Sequence, residues 1–482
     1  MNLLLILGRA SRFDVVNGEI LAGPARQWFD SVIDQVAPGL SYEVLYVTDY
    51  LAGKKPITTP THVLACGEEC LALATFAGMT NIDTARGVVH VRSNVRVLLT
   101  YHPQDCCDMR DVDGDVFTED GDSIEDSIDA SNNAKDSAPT MRANYPFWFR
   151  ADVEKLLDVR PVVYRDDFAF LGVLPSDEAA RTLKAIPANS DFFFDIETHP
   201  KTESIQVFSW ACNNGPVYTY VVYDWRGKLT PGAVSVMVQL ARVLERCNVV
   251  IHNACFDLTF LAIYHAIPFG STLSDTMLMW HRLFPESEKS LAHVISYFTN
   301  FAFHKDESGS FDPRNYTALT KLATYNAKDV HRLRLIYYAL NAERAKDAGL
   351  DASMTLANQS IYPYILASIR GFELDTTALR QHKDSLAKRL DFLTRVFRIL
   401  VGCAPFNPGS PKQLAEYLYD GMGYKPPEKS DAGAPSTSAS SIYKLLLKHP
   451  ENVALTTLLK IRTVSKQLSM LGFKPFTPFK RR

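Results

Sequence analysis

The sequence lacks several features that would define whole classes of protein. No stretch approaches about 18 consecutive apolar residues, which excludes a membrane-spanning helix by the usual length criterion. Cysteine is scarce, with eight in 482 residues, so no disulfide framework of the secreted kind is expected. The apolar start, residues 1–8, has neither a basic n-region nor a small-residue cleavage site, and predicts a core strand. These absences predict a cytoplasmic protein in a reducing compartment, without a membrane partner.

Charge of one sign is concentrated in a single tract. The whole chain has a net charge of −3. Residues 108–136 hold eleven acids and two bases, a net −9 that leaves +6 for the remainder. The mildly basic remainder fits a polyanionic partner. Large apolar residues are few from 108 to about 140, so this insertion cannot bury enough surface to offset its ordering entropy. We expect a solvated, disordered insertion, with mimicry of DNA as the alternative.

A run of aromatic residues leads directly into two acids. Phe192 to Phe194 have the character of a buried strand, and Asp195 and Glu197 follow at its end. Because successive strand residues point to opposite faces, the two carboxylates share one face. They would repel each other there unless a divalent cation lay between them. Asp-x-Glu also occurs as solvated charge on surface strands, so the pair alone leaves both interpretations open.

Two further acids follow in similar apolar settings. A strand over residues 249–252 leads to Asn253 and then to Asp257, and a helical pattern carries Tyr325 and Asp329. The last two are four residues apart and therefore lie on one helix face. Together with the two strand acids they make a candidate two-metal site, which would clamp the attacking and leaving oxygens of a phosphoryl displacement.

This succession of motifs resembles the 3′–5′ exonucleases of the DEDD type in their tyrosine variant, above all the proofreading domain of family A DNA polymerases. Two intervening segments, 275–278 and 290–293, fit the same pattern. The resemblance implies a ribonuclease-H-like exonuclease domain over residues 160–345. The strands and helices that we predict there, in the order βββαβα, agree with it.

The resemblance also implies roles for the site residues. Asp195, Glu197 and Asp329 would hold one Mg²⁺ or Mn²⁺ ion, and Asp195 would bridge to a second ion to which Asp257 contributes through water. Tyr325 would orient the attacking water, with simple helix packing as its alternative role. The substrate would be a single-stranded 3′ end of DNA.

Other residues near the motifs are candidates for contacts with that strand. Asn253 would contact a phosphate or cap the strand end. Phe256 and Phe260 could stack on bases, as aromatic side chains do in sequence-tolerant single-strand binding. We nevertheless expect both rings to pack in the core.

The first 150 residues predict a separate α/β domain. Strands alternate there with helical patterns, which implies a mostly parallel sheet. Segments 7–10, 23–25, 85–87 and 100–103 resemble the uracil-DNA glycosylase superfamily. In that family the loop that here contains His102 holds the base-excision transition state.

Three departures place excision by this domain in doubt. Asp49 stands where the family usually has Asn, and an ionised carboxylate only accepts hydrogen bonds. Asp14 is the nearest counterpart of an expected acid. Cys66, Cys70, Cys106 and Cys107 do not reproduce the spacing of the iron–sulfur members, so no such cluster is expected. We expect binding or scaffolding, with active excision as the alternative.

Residues 350–482 predict an all-α region that resembles the thumb of family A polymerases. A long basic amphipathic helix includes Lys388 and Arg389, which would follow duplex phosphates or simply be solvated. The segment 406–414 resembles the thumb-tip motif, and two helices follow it. The DNA-binding candidates in this region are Lys388, Arg389, Asn407, Ser410, Lys412, Gln413, Arg462 and Lys466.

No palm or fingers motifs follow the thumb-like region. We therefore expect the proofreading and thumb portion of a phage-type family A DNA polymerase, with palm and fingers on a second polypeptide, in the host cytoplasm if a phage encodes it. A truncated piece of a longer polymerase is the alternative for the chain itself. The alternative functions are a free-standing repair exonuclease with a base-excision domain and a non-catalytic scaffold for a polymerase subunit.

Overall fold

A computed structural model describes residues 1–10, 14, 18–76, 79, 81–107, 144–164, 168–199, 204–265, 272–301, 315–371, 373–428 and 435–471. The acidic insertion and the aromatic, basic segment after residue 471 lie outside this part. The described residues form two compact units, of which the first ends at Gly371. Each unit has its own buried core.

The first unit begins with a five-stranded sheet. Its strands are β1 (Leu3–Leu7), β2 (Tyr42–Tyr46), β3 (His62–Cys66), β4 (Val89–Arg92) and β5 (Val95–Thr100), in the order β2-β1-β3-β5-β4. All neighbours are parallel except β4 and β5. The associated helices are α1 (Gly23–Val36), α2 (Val47–Leu51), α3 (Ile82–Ala85), α4 (Pro103–Cys107) and α5 (Tyr145–Leu156). The predicted parallel sheet is confirmed.

A second, six-stranded sheet carries the predicted metal ligands. Its strands are β6 (Phe170–Val173), β7 (Asp191–Thr198), β8 (Ile205–Cys212), β9 (Val217–Val221), β10 (Asn248–Ile251) and β11 (Leu273–Asp275), in the order β11-β10-β7-β8-β9-β6. The strands β7, β8 and β9 are antiparallel, whereas β10 and β11 extend the sheet in parallel. This is the ribonuclease-H-like arrangement that we expected. The strand β7 lies between β8 and β10, which explains its continuous aromatic run, since a central strand is covered on both faces.

Seven helices accompany this sheet among the described residues. They are α6 (Ser176–Lys184), α7 (Ala233–Arg246), α8 (Ala254–His265), α9 (Thr276–Leu283), α10 (Leu291–Phe298), α11 (Tyr316–Arg344) and α12 (Ala348–Arg370). The long helix α11 packs against β7, β8 and β9, while α12 packs against α8 and α9. All of α12 belongs to the first unit, which ends at Gly371, whereas we predicted that the helical region begins at residue 350.

One hydrophobic core joins the two sheets of the first unit. Trp148 on α5 stacks on Trp280 on α9, with ring centroids 6.3 Å apart. Lys155 is completely buried, and its Nζ donates to the carbonyl oxygens of Gly87, Ser296 and Thr299 (2.5 Å to Gly87, 2.9 Å to Thr299). The segments 1–150 and 160–345 therefore share buried side chains.

The second unit is helical, as predicted. Its helices are α13 (Thr376–Val401), α14 (Pro411–Ala415), α15 (Ala439–Lys448) and α16 (Val453–Met470), with a π-helical turn over Glu416–Gly421. Asp375 caps α13 by accepting hydrogen bonds from the N–H groups of Thr377 and Ala378. The core lies between α13 and α16 and includes Phe397, Ile442 and Leu458.

Within the described ranges of both units, no helix has the length and apolar character that a bilayer crossing requires.

Candidate active site

Three carboxylates meet where β7 passes beneath α11. Asp195 and Glu197 lie on one face of β7, and Asp329 lies on α11, which crosses that face of the sheet. One oxygen from each carboxylate lies within 4.8 Å of the others. Asp329 is buried, whereas the two strand acids are half-buried. The structure therefore brings the two strand acids together with a helix acid that lies more than 130 residues later in the sequence.

The fourth predicted acid, Asp257, lies beside these three in the first turn of α8. Its Oδ1 accepts a hydrogen bond of 3.0 Å from the backbone N–H of Ile196, the residue between the two strand acids. Burial raises the pKa of Asp257 well above its usual value, and the negative charge of Glu197 adds to this, although hydrogen bonds from backbone N–H groups oppose it. This hydrogen bond connects the carboxylate of Asp257 directly to the backbone of β7.

A fifth carboxylate, Asp275, fixes that turn. It is buried at the end of β11 and accepts from the N–H groups of Asn253 (3.0 Å), Ala254 (2.8 Å) and Met277 (2.8 Å). Burial raises its pKa, while these N–H groups counteract the rise. Asn253 has a positive φ of 67°, a conformation that Asn tolerates better than most residues. Asp275 therefore holds the turn from which α8 presents Asp257.

Sequence reasoning missed one polar residue of the site, Asn326. It is fully buried on α11, and its Nδ2 donates to Oδ2 of Asp195 at 2.5 Å. Its Oδ1 has no hydrogen-bond partner among the described residues. The signal in the sequence was an amide between the two motif residues Tyr325 and Asp329, because a buried amide normally has a polar partner.

Tyr325 is buried one helical turn before Asp329. Its ring packs with Val207, Leu319 and Leu322 in a small apolar cluster against β8. This packing is the alternative role that we considered for Tyr325, and it is compatible with a function for the hydroxyl group. The water-orienting role stays a prediction.

Phe256 corrects an expectation. We expected both Phe256 and Phe260 to pack in the core. Phe260 is partly buried against the core, but Phe256 is 44% exposed directly before Asp257. The two ring centroids are 4.7 Å apart. An exposed aromatic ring beside the carboxylates is a candidate surface for base stacking.

The donor set suits a hard divalent cation. The three clustered ligands are all carboxylates, which Mg²⁺ and Mn²⁺ prefer over softer donors. Three carboxylates would fill only part of the coordination shell of Mg²⁺, which usually keeps several water ligands.

The predicted DNA-binding residues of the second unit differ in their surroundings. Lys388 and Arg389 on α13 and Lys412 on α14 are exposed. Lys466 is half-buried, and Nη2 of Arg462 donates to the carbonyl oxygen of Thr437. Burial lowers the pKa of Arg462. The exposed bases are thus available to phosphates, while Arg462 has an internal partner.

Three further candidates of the thumb-like segment stabilise its own turn. Oδ1 of Asn407 accepts from the N–H of Gly409 (2.9 Å), and Oε1 of Gln413 accepts from the N–H of Asn407 (2.7 Å). Ser410 caps α14 through a bond of 3.4 Å from the N–H of Gln413. Their contact with DNA stays a prediction.

His102 occupies a buried position at the end of β5. Its Nδ1 accepts from the N–H of Gln104 at 3.1 Å, which leaves Nε2 to donate to the carbonyl oxygen of Arg9 at 3.1 Å. Burial lowers the pKa of His102. Both ring nitrogens therefore have partners within the protein, and the glycosylase-loop role of His102 stays a prediction.

The candidate acids of this N-terminal domain also have internal partners. Asp14 is buried and accepts from the hydroxyl of Tyr46 (2.7 Å) and the N–H of Ala22 (2.9 Å). Asp49 is half-exposed and pairs with Lys54.

Comparisons with known proteins agree with the geometry of the carboxylate site. Residues 171–344 match a family model described as 3′–5′ exonuclease. This segment contains all four predicted acids and Tyr325. The chain is 24% identical over 232 residues to DNA polymerase I of Helicobacter pylori, an alignment that covers 47% of this chain and 24% of that protein.

Other relatives carry similar names. DNA polymerase I of Synechocystis is 28% identical over 45% of this chain and 22% of its own length. DNA polymerase of Escherichia phage T5 is 43% identical over 65 residues, 13% of this chain and 7% of its own length. The chain thus spans about a quarter or less of these relatives.

A solved structure of the POL domain of Pol1 from M. smegmatis aligns with 62% of this chain and 49% of that chain, at a TM-score of 0.43 and 19% identity. The family model and the carboxylate site together identify residues 171–344 as a 3′–5′ exonuclease domain similar to the one in DNA polymerase I.

Proposed function

We propose that this chain is the proofreading 3′–5′ exonuclease and DNA-binding thumb portion of a family A DNA polymerase whose palm and fingers lie outside residues 1–482. The observation that carries the proposal is the cluster of Asp195, Glu197 and Asp329 within the segment that matches the exonuclease model. The assignment to a polymerase rests on the relatives, which are DNA polymerases.

The reaction is hydrolysis of the 3′-terminal phosphodiester. A water molecule attacks the phosphorus atom, the bond from phosphorus to the 3′ oxygen of the preceding nucleotide breaks, and that oxygen takes a proton. The products are a nucleoside 5′-monophosphate and a strand one nucleotide shorter with a free 3′ hydroxyl. Two divalent ions, when bound, would lower the pKa of the attacking water and neutralise charge that develops on the departing oxygen.

The side chains of the chain would divide the remaining tasks. Asp195, Glu197 and Asp329 would hold the first ion, and Asp257 would assist the second through water. The hydroxyl of Tyr325 would orient the attacking water in line with the bond that breaks. The exposed ring of Phe256 would support the terminal base, which favours a frayed single-stranded 3′ end over a paired one.

The second unit would bind duplex DNA. Lys388, Arg389 and Lys412 are exposed and would contact phosphates, which position DNA without selecting a sequence. The combination of the two activities suits a proofreading enzyme, because the same chain would bind the primer-template and shorten its mismatched end. A free-standing repair exonuclease would not require a polymerising partner.

A digestion assay tests the catalytic part of the proposal. The substrates are a 3′-labelled single strand and a primer-template with a terminal mismatch, each with Mg²⁺ or with EDTA. We expect metal-dependent release of mononucleotides by the native chain and a loss of at least about 1,000-fold in Asp195→Ala, because this change removes a ligand proposed to be shared by both ions. Asp177→Ala, at an acid that is 79% exposed on α6, is the matched control and should retain activity.

The same assay separates the alternatives. If the native chain releases no nucleotides under any metal condition, the non-catalytic scaffold becomes the better explanation. If it digests DNA, the polymerase part is tested by adding nucleotides to the primer-template. We expect no extension by residues 1–482 alone and extension once a polypeptide that carries the palm and fingers is added.

A further inference from the structure

Asn326 is placed unusually for a helix residue. Its side chain is fully buried, and its Nδ2 donates to Oδ2 of Asp195, 131 positions earlier in the chain. The donor lies on α11 and the acceptor on β7, so the bond links the two elements that supply the carboxylate cluster. An amide is a donor that keeps its hydrogen atoms at every physiological pH.

The energetics of this amide do not favour a purely structural role. Its Oδ1 is buried without a hydrogen-bond partner among the described residues. Burial of an unpaired polar atom costs about 1–3 kcal/mol. A leucine, which has the same number of side-chain heavy atoms in the same branched arrangement, would avoid this cost. The position therefore carries an amide whose benefit must come from its one bond, the bond to Asp195.

That bond has a geometric consequence for the cluster. The torsion about the bond between Cβ and Cγ has broad freedom in an aspartate, and the side chain of Asp195 is only half-buried. A donor on Oδ2 removes this freedom and fixes the plane of the carboxylate. Residues that hold metal ligands in this way typically change metal affinity about 10- to 100-fold when they are replaced.

We propose that Asn326 is a positioning residue that orients Asp195 for cation binding and thereby sets the metal affinity of the exonuclease site. The inference rests on the proposed function, since it assumes that the carboxylate cluster binds a divalent cation. It concerns affinity for the ion and does not require Asn326 to touch DNA or the reacting water.

The test uses the full chain and Asn326→Leu, with Mn²⁺ alone as the probe. Mn²⁺ binding is measured by electron paramagnetic resonance without DNA, and stability by urea unfolding in EDTA. We expect the Mn²⁺ dissociation constant to rise by about 10-fold or more. We expect the unfolding midpoint to stay the same or to rise, because the variant removes the unpaired Oδ1. If Asn326 had only a structural role, the variant would show the opposite results, namely lower stability and an unchanged Mn²⁺ affinity.

Two more variants keep the test decisive. Asn326→Ala removes the amide without adding a branched side chain, and serves if the leucine variant does not fold. Asn341→Leu makes the same chemical change on α11, about 22 Å further along the helix axis, and should leave Mn²⁺ affinity unchanged. Unchanged Mn²⁺ affinity in a folded Asn326 variant would overturn the inference.

These measurements distinguish a failure of the inference about Asn326 from a failure of the proposed exonuclease function. A native chain that binds Mn²⁺ but digests no DNA would contradict the exonuclease, while a weaker Mn²⁺ affinity of the variant would still support the role of Asn326. In an active enzyme, a Mg²⁺ titration gives a second readout. The Mg²⁺ concentration for half-maximal rate should rise by about 10-fold, with a smaller change in the rate at saturating Mg²⁺.

Discussion

At the scale of single residues, the buried carboxylates of Asp257 and Asp275 differ in their surroundings. Asp257 has backbone N–H groups and a nearby like charge, whereas Asp275 accepts four backbone hydrogen bonds in a site with little exposure. The carboxylate of Asp275 thus accepts the hydrogen bonds that water would otherwise accept from backbone N–H groups of the turn between β10 and α8. Its contribution is structural, but it determines where Asp257 lies relative to β7.

Replacement of this carboxylate by an amide should affect stability and activity together. In Asp275→Asn, an NH₂ group faces backbone N–H donors, so at least one of them loses its acceptor. We expect the free energy of unfolding of the first unit to fall by about 1–3 kcal/mol in urea titrations. The exonuclease rate should also fall, because the turn that carries Asn253 shifts.

Asp224→Asn is the matched control for this prediction. Oδ1 of Asp224 accepts from the N–H groups of Arg226 and Lys228, each at 2.9 Å, in an exposed turn. We expect a smaller loss of stability and an unchanged exonuclease rate. Equal effects of the two substitutions would show that the location of Asp275 has no special importance.

His293 gives a pH dependence whose sign follows from burial. Burial, and secondarily the charge of Arg86, lowers its pKa from 6.5 to about 4. In the unfolded chain His293 takes up a proton near pH 6.5, whereas in the folded protein it stays neutral until the pH approaches 4. Its contribution to the free energy of unfolding is therefore fully present above pH 6.5 and is lost as the pH falls towards 4. Between pH 7.5 and pH 5 we expect this residue to account for a loss of about 1–2 kcal/mol.

The contribution of His293 is measured as a difference between proteins. Urea unfolding at both pH values is compared for the native chain and His293→Phe, which keeps a ring against Trp148 but does not titrate. The native protein should lose about 1–2 kcal/mol more than the variant. His382→Phe, at an exposed residue of the second unit, should not change the loss. A variant with the full native loss would contradict the assignment.

At the element scale, α13 is the clearest candidate for binding duplex DNA. It begins at the cap formed by Asp375, and Lys388 and Arg389 are exposed near its middle. Their double replacement by Gln should weaken binding of a duplex about equally for all sequences. The slope of log affinity against log salt should decrease by about 2, because each phosphate contact contributes about 0.9.

A matched pair of bases on another helix controls for net charge. Arg181 and Lys184 are exposed on α6, and their double replacement by Gln removes the same charge. We expect this change to leave the salt slope nearly unchanged. Equal slopes for the two double variants would indicate that α13 has no specific role in DNA binding.

At the scale of the whole first unit, the shared core predicts cooperative unfolding. Trp148 is 2% exposed and contacts aromatic residues that belong to the exonuclease segment. Trp148→Ala should lower the free energy of unfolding by about 3–5 kcal/mol. Hydrogen exchange should report the loss in both sheets, β1–β5 and β6–β11. Two separate transitions, with only the N-terminal sheet affected, would contradict a shared core.

Trp225→Ala is the control for this prediction. Trp225 is 38% exposed, and its replacement should cost less because a partly exposed site leaves no closed cavity.

The sequence by itself determined most of the elements and the identities of the clustered acids. The aromatic run 192–194 specified a central strand, and the spacing from Tyr325 to Asp329 specified one helix face, because both depend on local periodicity. The hairpin of β4 and β5 was missed. Its two turn residues, Ser93 and Asn94, both have positive φ, which is the type I′ geometry that a two-residue hairpin loop favours.

Only the tertiary structure decided which side chains meet. No periodicity relates Asn326 to Asp195, Asp275 to the turn at Asn253, or Lys155 to the carbonyl groups of residues 87 and 299. These contacts arise where α11, β11 and α5 cross other elements, and crossings depend on how complete cores pack. The exposure of Phe256 was decided in the same way, since a first-turn residue of α8 can lie on either side of the helix until the sheet fixes the direction of the axis.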